Sequence, residues 1–264
     1  MEPTQVEGEE TTIDICTLPN WSALYLEATQ NGAMSSEKIF DSSPFPISHE
    51  LNKKISLWCG DISAVNAHVI VHPTNETLSD ANEISIRIFN RAGPGLQKEL
   101  LSIKSCRTGD CVLTDGFGLP SRYVIHTVGP RWNTKYESAA ETALHSCYRK
   151  ALEIVRERRF PSVAFPLVHS CKKGFPVDRG AHIAIRTVRR FLERYGDSIE
   201  MCILVMESCE EHRIYEVILP LYFPRSQKEE LQASYLLPKD IGDAMGEPFI
   251  QDRCIRIQDN PQHF

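Results

Sequence analysis

The sequence predicts an α/β fold: a three-layer α/β/α domain built around a mixed, mostly parallel sheet. Two observations carry that expectation. Six short apolar, β-branched-rich segments recur at 55–58, 68–71, 111–114, 122–128, 162–168 and 201–206; runs of this kind belong to strands buried on both faces. Amphipathic helical stripes lie between many of them, and alternation of strand and helix is the mark of parallel strands joined by crossovers.

Taken in order, residues 1–50 carry nine acids against Lys38 alone and show no sustained periodicity, so an acidic, largely flexible arm is expected. Ser42-Ser43-Pro44-Phe45-Pro46 reads as an extended linker. Within 83–92, Ile84 and Ile88 stand one helical turn apart, and Leu96, Leu100 and Ile103 share the next helical face. Residues 137–158 set Ala140, Leu144, Tyr148, Leu152 and Val155 on one stripe, and Ala181, Ile185, Val188 and Leu192 do the same after Asp178. These spacings follow the 3.6-residue period of a helix with one buried side. Tyr222-Phe223-Pro224-Arg225 ends the last helix. The tail 223–264, with prolines at 238, 248 and 261 and glycines at 242 and 246, is expected to be irregular and draped on the domain. The expected division is thus 1–50, 51–222 and 223–264, without an internal repeat.

Composition narrows the class. The chain has 264 residues, 42% hydrophobic and 24% charged, enough apolar material for a proper core and too much for global disorder. No apolar stretch approaches the ~20 residues of a membrane span. The opening MEPTQVEGEE lacks the basic and apolar regions of a secretory signal. Nine cysteines form no Cys-x-x-Cys pair; the tightest spacing is Cys106 to Cys111. Free thiols in a reducing cytoplasm or nucleus are expected, with no metal centre or cofactor, and the sequons at Asn20 and Asn75 read as chance matches. Net charge is −6, but residues 1–50 hold −8 and 223–264 hold −2, which leaves 51–222 at +4. That surplus suits an anionic ligand and is too mild for a dedicated DNA-binding face.

In such a sheet, ligands bind among the loops at the carboxyl ends of strands, here 60–66, 72–85, 168–175 and 207–212. The residues around those loops resemble a family. Cys59-Gly60-Asp61-Ile62, Pro73-Thr74-Asn75, Arg91-Ala92-Gly93-Pro94, Cys106-Arg107-Thr108-Gly109, Tyr123-Val124-Ile125-His126-Thr127-Val128-Gly129-Pro130 and Ala164-Phe165-Pro166 occur in the order seen in macrodomains. Macrodomains are an ADP-ribose-binding α/β fold, and the MacroD-type branch is most similar in pattern. The resemblance covers 51–222. Further on, Leu219–Ser226, Asp240-Ile241-Gly242, Gly246-Glu247-Pro248 and Arg253–Ile257 resemble a branch whose members usually carry a C-terminal CRAL-TRIO domain, a lipid-pocket fold. A chain ending before one is expected to be a fragment, a short form or a truncated gene product.

The resemblance implies roles residue by residue. Asp61 takes the place of the acid that accepts from the adenine amino group, with Ile62 beside the base. Read on its own, an Asp after Gly60 equally braces a turn. Asn75 takes the place of an Asn that contacts the distal ribose, and equally reads as a turn former after Pro73. The first Asn of that family motif is His72 here. The family's following glycine run and Val-Asp-Gly are absent: 80–86 reads Asp80-Ala81-Asn82-Glu83-Ile84-Ser85-Ile86. Without glycine the backbone approaches a diphosphate less closely, and Asp80 and Glu83 oppose its charge. Ser85 stands where the family holds its catalytic Asp and cannot supply a carboxylate base. The second phosphate loop is His169-Ser170-Cys171-Lys172-Lys173-Gly174-Phe175. Gly174 keeps part of the family's anion nest, Phe175 follows it, and Lys172 and Lys173 offer positive charge or form a solvated pair. No aromatic at Met206-Glu207-Ser208 replaces the family's adenine stack.

The expected ligand residues are therefore Asp61, Ile62, Asn75, Lys172, Lys173, Gly174 and Phe175, with no catalytic residue. The expected function is a non-catalytic macrodomain serving as a binding or adaptor module. Its expected partners are ADP-ribose or an adenine nucleotide, bound weakly, and a protein. The alternatives are an ADP-ribosyl hydrolase using Asp80 as a rearranged acid, and an RNA- or poly(A)-binding module. The RNA reading uses Lys172, Lys173 and a basic face of Arg186, Arg189, Arg190 and Arg194.

Overall fold

The computed structural model describes residues 11–28, 43–169 and 174–249. Helices α1 (Trp21–Ala28) and α2 (His49–Lys53) precede strand β1 (Ile55–Cys59). Strand β2 (Val69–Thr74) leads into α3 (Glu83–Ala92) and α4 (Pro94–Ile103). Strands β3 (Cys111–Asp115) and β4 (Tyr123–Val128) are followed by α5 (Glu137–Glu157), β5 (Ser162–Phe165), α6 (Val177–Tyr195), β6 (Met201–Met206), α7 (Cys209–Tyr222) and α8 (Gln227–Leu236). The strands form one sheet in the order β1-β6-β5-β2-β4-β3. All neighbours are parallel except β3, which runs antiparallel to β4. The mixed, mostly parallel three-layer sheet is the fold that the pattern predicts.

Period-two alternation divides the sheet between two cores. Val69, Val71, Leu57 and Leu204 face a core shared with Leu144, Tyr148 and Leu152 of α5, Ile185 and Val188 of α6, and Tyr215 and Leu219 of α7. Their neighbours Ile70, Val124, Ile203 and Val205 face Ile88, Leu96 and Leu100 of α3 and α4. Each fully buried aliphatic side chain contributes about 1.5–3 kcal/mol. Helix α3 opens on Asn82, whose Oδ1 accepts from the Ser85 amide at 2.8 Å. It ends at Gly93, φ +79°, a conformation that suits glycine, and Pro94 starts α4 at once.

Two expectations at the chain ends need correction. Residues 11–28 and 43–50 are built into the domain instead of forming a free arm. Ile13 bridges Val65. Trp21 is 3% exposed and donates Nε1–H to the Phe223 carbonyl at 2.9 Å, with the Arg225 guanidinium 3.8 Å over its ring. Phe45 is buried edge-on against Tyr222. Isolated aromatic anchors of this kind leave no periodic trace. The rest of the expected arm, 1–10 and 29–42, lies outside the described residues. The tail is not irregular from 223 onward either. Ser226 caps α8, and Arg225 pairs with Glu229 inside its first turn. Residues 250–264 lie outside the described residues.

The expected basic face on α6 is likewise absent as such. Arg186 and Arg189 are buried. Arg186 donates to the Gly246 and Asp240 carbonyls of the tail. Arg189 donates to the Tyr222 and Pro46 carbonyls and pairs with Glu193. The segments that cover α6 use these guanidinium groups as their own anchors.

Candidate functional site

The carboxyl ends of β1 and β6 place Asp61 beside Arg87 of α3 and Glu207, and the carboxyl end of β2 carries Asn75. Asp61 follows β1 and caps a 3-10 turn, Ile62–Ala64, its carboxylate accepting from the Ser63 amide and hydroxyl at 2.9 Å each. Both readings of Asp61 meet here, because Arg87 of α3 also donates Nε–H to it at 3.1 Å. The far end of that guanidinium pairs with Glu207, just beyond β6. Arg87 and Glu207 were not singled out from sequence; an arginine next to Ile88 on an amphipathic helix reads as ordinary helix surface. Trp58 is a further residue that sequence reasoning passed over. Its ring lies so close to Gly60 that a Cβ there would sit 2.3 Å from it, so any other residue before Asp61 would have to displace the Trp58 ring.

Ile62 is wholly buried among Val65, Ile70 and Ile88 and belongs to the core. Asn75 is partly exposed, but its Oδ1 accepts from the Thr77 hydroxyl and the Ser79 amide at 3.0 Å each. This is the turn reading of Asn75. Between them Leu78 takes φ +58° and buries its side chain. A left-handed leucine costs on the order of 1 kcal/mol, offset by its burial beside α3 and α4. Asp80 lies on the rim of a cleft of about 440 Å³ between this loop, α3 and α4, lined also by Leu78, Ile86, Phe89, Leu100 and Leu101. None of Asp61, Ile62, Asn75, Gly174 and Phe175 lines that cleft.

Ser85 is fully buried and belongs to a polar chain across three strands. Its Oγ lies 2.7 Å from His72 Nε2. His72 Nδ1 lies 2.8 Å from His126 Nδ1, and His126 Nε2 lies 2.9 Å from Thr114 Oγ1. Thr114 donates in turn to the Asp115 carbonyl. That last bond fixes one consistent polarity: Ser85 O–H donates to His72, His72 Nδ1–H to His126, and His126 Nε2–H to Thr114. Both rings are then neutral. Burial lowers the His72 pKa to about 4 against the opposing pull of Asp80, and burial with the neighbouring His72 lowers His126 well below its ordinary value.

On the second expected loop, Gly174 has φ +75°. Phe175 is buried, its ring 4.7 Å from Trp132 and 5.6 Å from His169, so it packs in the core. His169 Nε2–H donates to the Val177 carbonyl at 3.2 Å, and burial lowers its pKa to about 4. Lys172 and Lys173 lie outside the described residues. Among the described residues no His, Cys, Asp or Glu cluster could hold a metal ion, and no helix is long and apolar enough to cross a membrane.

Comparison with known proteins gives this arrangement a lineage. A family model described as Macro domain matches residues 71–184. A GDAP2 homolog of Nematostella vectensis is 46% identical over 250 residues, and ganglioside-induced differentiation-associated protein 2 of Mus musculus is 43% identical over 252. Each alignment covers 94% of this chain and 50% of the relative, so the chain spans about half the length of the curated relatives it matches. The crystal structure of the macro domain of ganglioside-induced differentiation-associated protein 2 superposes with a TM-score of 0.74 at 41% identity, over 82% of this chain and 98% of that one. A Trypanosoma brucei macrodomain solved in complex with ADP-ribose follows, with a TM-score of 0.60 at 30% identity over 67% of this chain and 73% of that one. The chain belongs to the macrodomain family.

Proposed function

We propose that this chain is a non-catalytic macrodomain, a binding module that takes ADP-ribose or an adenine nucleotide weakly and serves as an adaptor for a protein partner in the cytoplasm or nucleus. One observation carries the reading. Ser85, which the family resemblance aligns with the catalytic acid, is fully buried and hydrogen-bonded to a neutral histidine. A serine so placed has neither the charge nor the access to orient water at an anomeric carbon. The ligand class is suggested by the relative solved with ADP-ribose and another solved with ADP. Calorimetric titration with ADP-ribose, ADP and poly(A) tests it. Weak saturable binding of the nucleotides without release of ADP-ribose from a modified protein is expected. Turnover would overturn it.

A second reading has Asp80 in its favour. That carboxylate lines a cleft and is partly exposed, so unlike the buried Ser85 it has the access to solvent that a recruited acid needs. Release of ADP-ribose that disappears in Asp80→Ala would establish this hydrolase. The RNA reading loses support from the burial of Arg186 and Arg189, and an affinity for poly(A) that falls steeply with salt would restore it.

A further inference from the structure

The same two loops that carry Asp61 and Glu207 also carry a pair of thiols. Cys59 ends β1, and its Cα stands opposite Met206 at the end of β6. The Gly60 amide donates to the Met206 carbonyl at 2.9 Å, which holds the two strand exits together. Three residues beyond Met206, Cys209 opens α7. Its position is fixed by a capping box in which Ser208 Oγ accepts from the Glu211 amide and the Glu211 carboxylate accepts from the Ser208 amide. Alternation along β1 puts Cys59 on the face of Ile55 and Leu57, and that face packs against α7. Both thiols are free and exposed.

We propose that Cys59 and Cys209 are a modification site, at which hydrogen peroxide closes an intramolecular disulfide joining the β1 exit loop to the start of α7. One thiolate attacks the peroxide O–O bond, gives a sulfenic acid and releases hydroxide. The other thiol attacks the sulfenyl sulfur, forms the S–S bond and releases water after proton transfer. In sum, two thiols lose two electrons and two protons, and one peroxide becomes two waters. The thiols sense one another: partial desolvation, then the Cys209 thiol and the Glu211 carboxylate, raise the Cys59 pKa. Closure therefore quickens as pH rises and the thiolate fraction grows. Elsewhere the buried thiols are poor reactants, with Cys106 pushed up to about 11 and Cys202 to about 12 by burial. Arg87 already ties Asp61 to Glu207 from the α3 side. The disulfide would tie the same two loops from the α7 side. This inference is independent of what the cleft binds.

The test is peroxide treatment of the full chain, alkylation of remaining thiols and peptide mapping by mass spectrometry without reduction. The expected result is a cross-linked peptide joining Cys59 to Cys209, lighter by two hydrogens and lost on reduction, forming faster at higher pH. Cys16 is exposed and free; its alkylation loss marks the peroxide dose without entering the cross-link. In Cys59→Ser, a sulfenic acid should become trappable on Cys209, with the melting temperature unchanged. If both thiols remain alkylatable at a dose that oxidises Cys16, or if either bonds to another cysteine instead, the pair is not the site.

Discussion

Acidification from about pH 7 to about pH 5 should remove much of this domain's stability, because below about pH 6.5 its buried histidines stay neutral in the fold while the unfolded chain protonates them. His72, His145 and His169 all have pKa values lowered to about 4, with burial the main cause at each. Unfolded, each returns to an ordinary value of 6.5. Between those values the unfolded chain binds the extra protons, so stability falls as pH falls through 6.5 and levels off near 4. At pH 5 each histidine has cost about 2 kcal/mol, and the three together about 6 kcal/mol, at 1.36 kcal/mol per pH unit and proton. That is comparable with the roughly 5–15 kcal/mol that keeps most domains folded. His126 adds to it in the same direction. Glu141 works the other way, since desolvation raises its pKa and its folded form keeps a proton longer. Urea unfolding followed by tryptophan fluorescence over this pH range reads the slope. In His145→Gln the slope should fall by about 1.4 kcal/mol per pH unit. A stability that is flat from pH 7 to pH 5, or a slope untouched by that substitution, would refute the account of neutral buried rings.

Three substitutions probe the rest. Trp21→Ala removes a buried ring, its hydrogen bond to Phe223 and its stack under Arg225, and should cost about 3–5 kcal/mol in urea unfolding; a loss below about 1 kcal/mol would mean that the N-terminal segment docks only loosely. Arg87→Ala removes the ion pair on Asp61 and leaves its two bonds from Ser63. The pair is about a third exposed, so its rupture is worth about 0.2–1 kcal/mol, and ADP-ribose should bind roughly 1.5- to 5-fold more tightly in calorimetry; unchanged or weaker binding would take Asp61 out of the site. Ser85→Asp places a carboxylate in a sealed position against His72 and should destabilise the fold by roughly 3 kcal/mol or more without creating hydrolysis; release of ADP-ribose by this variant would mean that the position still reaches substrate.

The layers were legible because their signal is local. Strands buried on both faces spell continuous apolar runs, and α5 and α6 repeat their buried stripe over many turns. What was missed is non-local or disguised. Strand β2 runs on through His72, Pro73 and Thr74, residues that read as a loop. His72 is accommodated because His126 and Ser85 satisfy it across the layer. At Pro73, β5 no longer pairs with β2, whose contacts with that strand end at Ile70, so a missing amide is tolerated. Trp21, Phe45 and the buried arginines of α6 find their partners far along the chain, and no window of sequence contains both ends of such a contact.

The candidate site was legible only as positions in loops. Sequence assigned Asp61 to the loop after β1 and Asn75 to the loop after β2, but their chemistry depends on what else reaches them. Arg87 comes from another layer, and the turn that occupies Asn75 exists because Leu78 accepts a left-handed backbone. An open ligand site leaves polar groups for the ligand to satisfy; here the Asp61 carboxylate and the Asn75 Oδ1 already accept hydrogen bonds from the protein. A nucleotide that engages Asp61 and Asn75 must first displace two or three internal hydrogen bonds, each worth about 0.5–1.5 kcal/mol net. On the proposed reading that lowers affinity by about 1–4.5 kcal/mol, roughly five- to two-thousand-fold, relative to a macrodomain whose equivalent groups stand free. Internal satisfaction, more than the loss of the catalytic carboxylate, would then set how weakly this module holds its ligand, and Arg87 is where that hold could be strengthened.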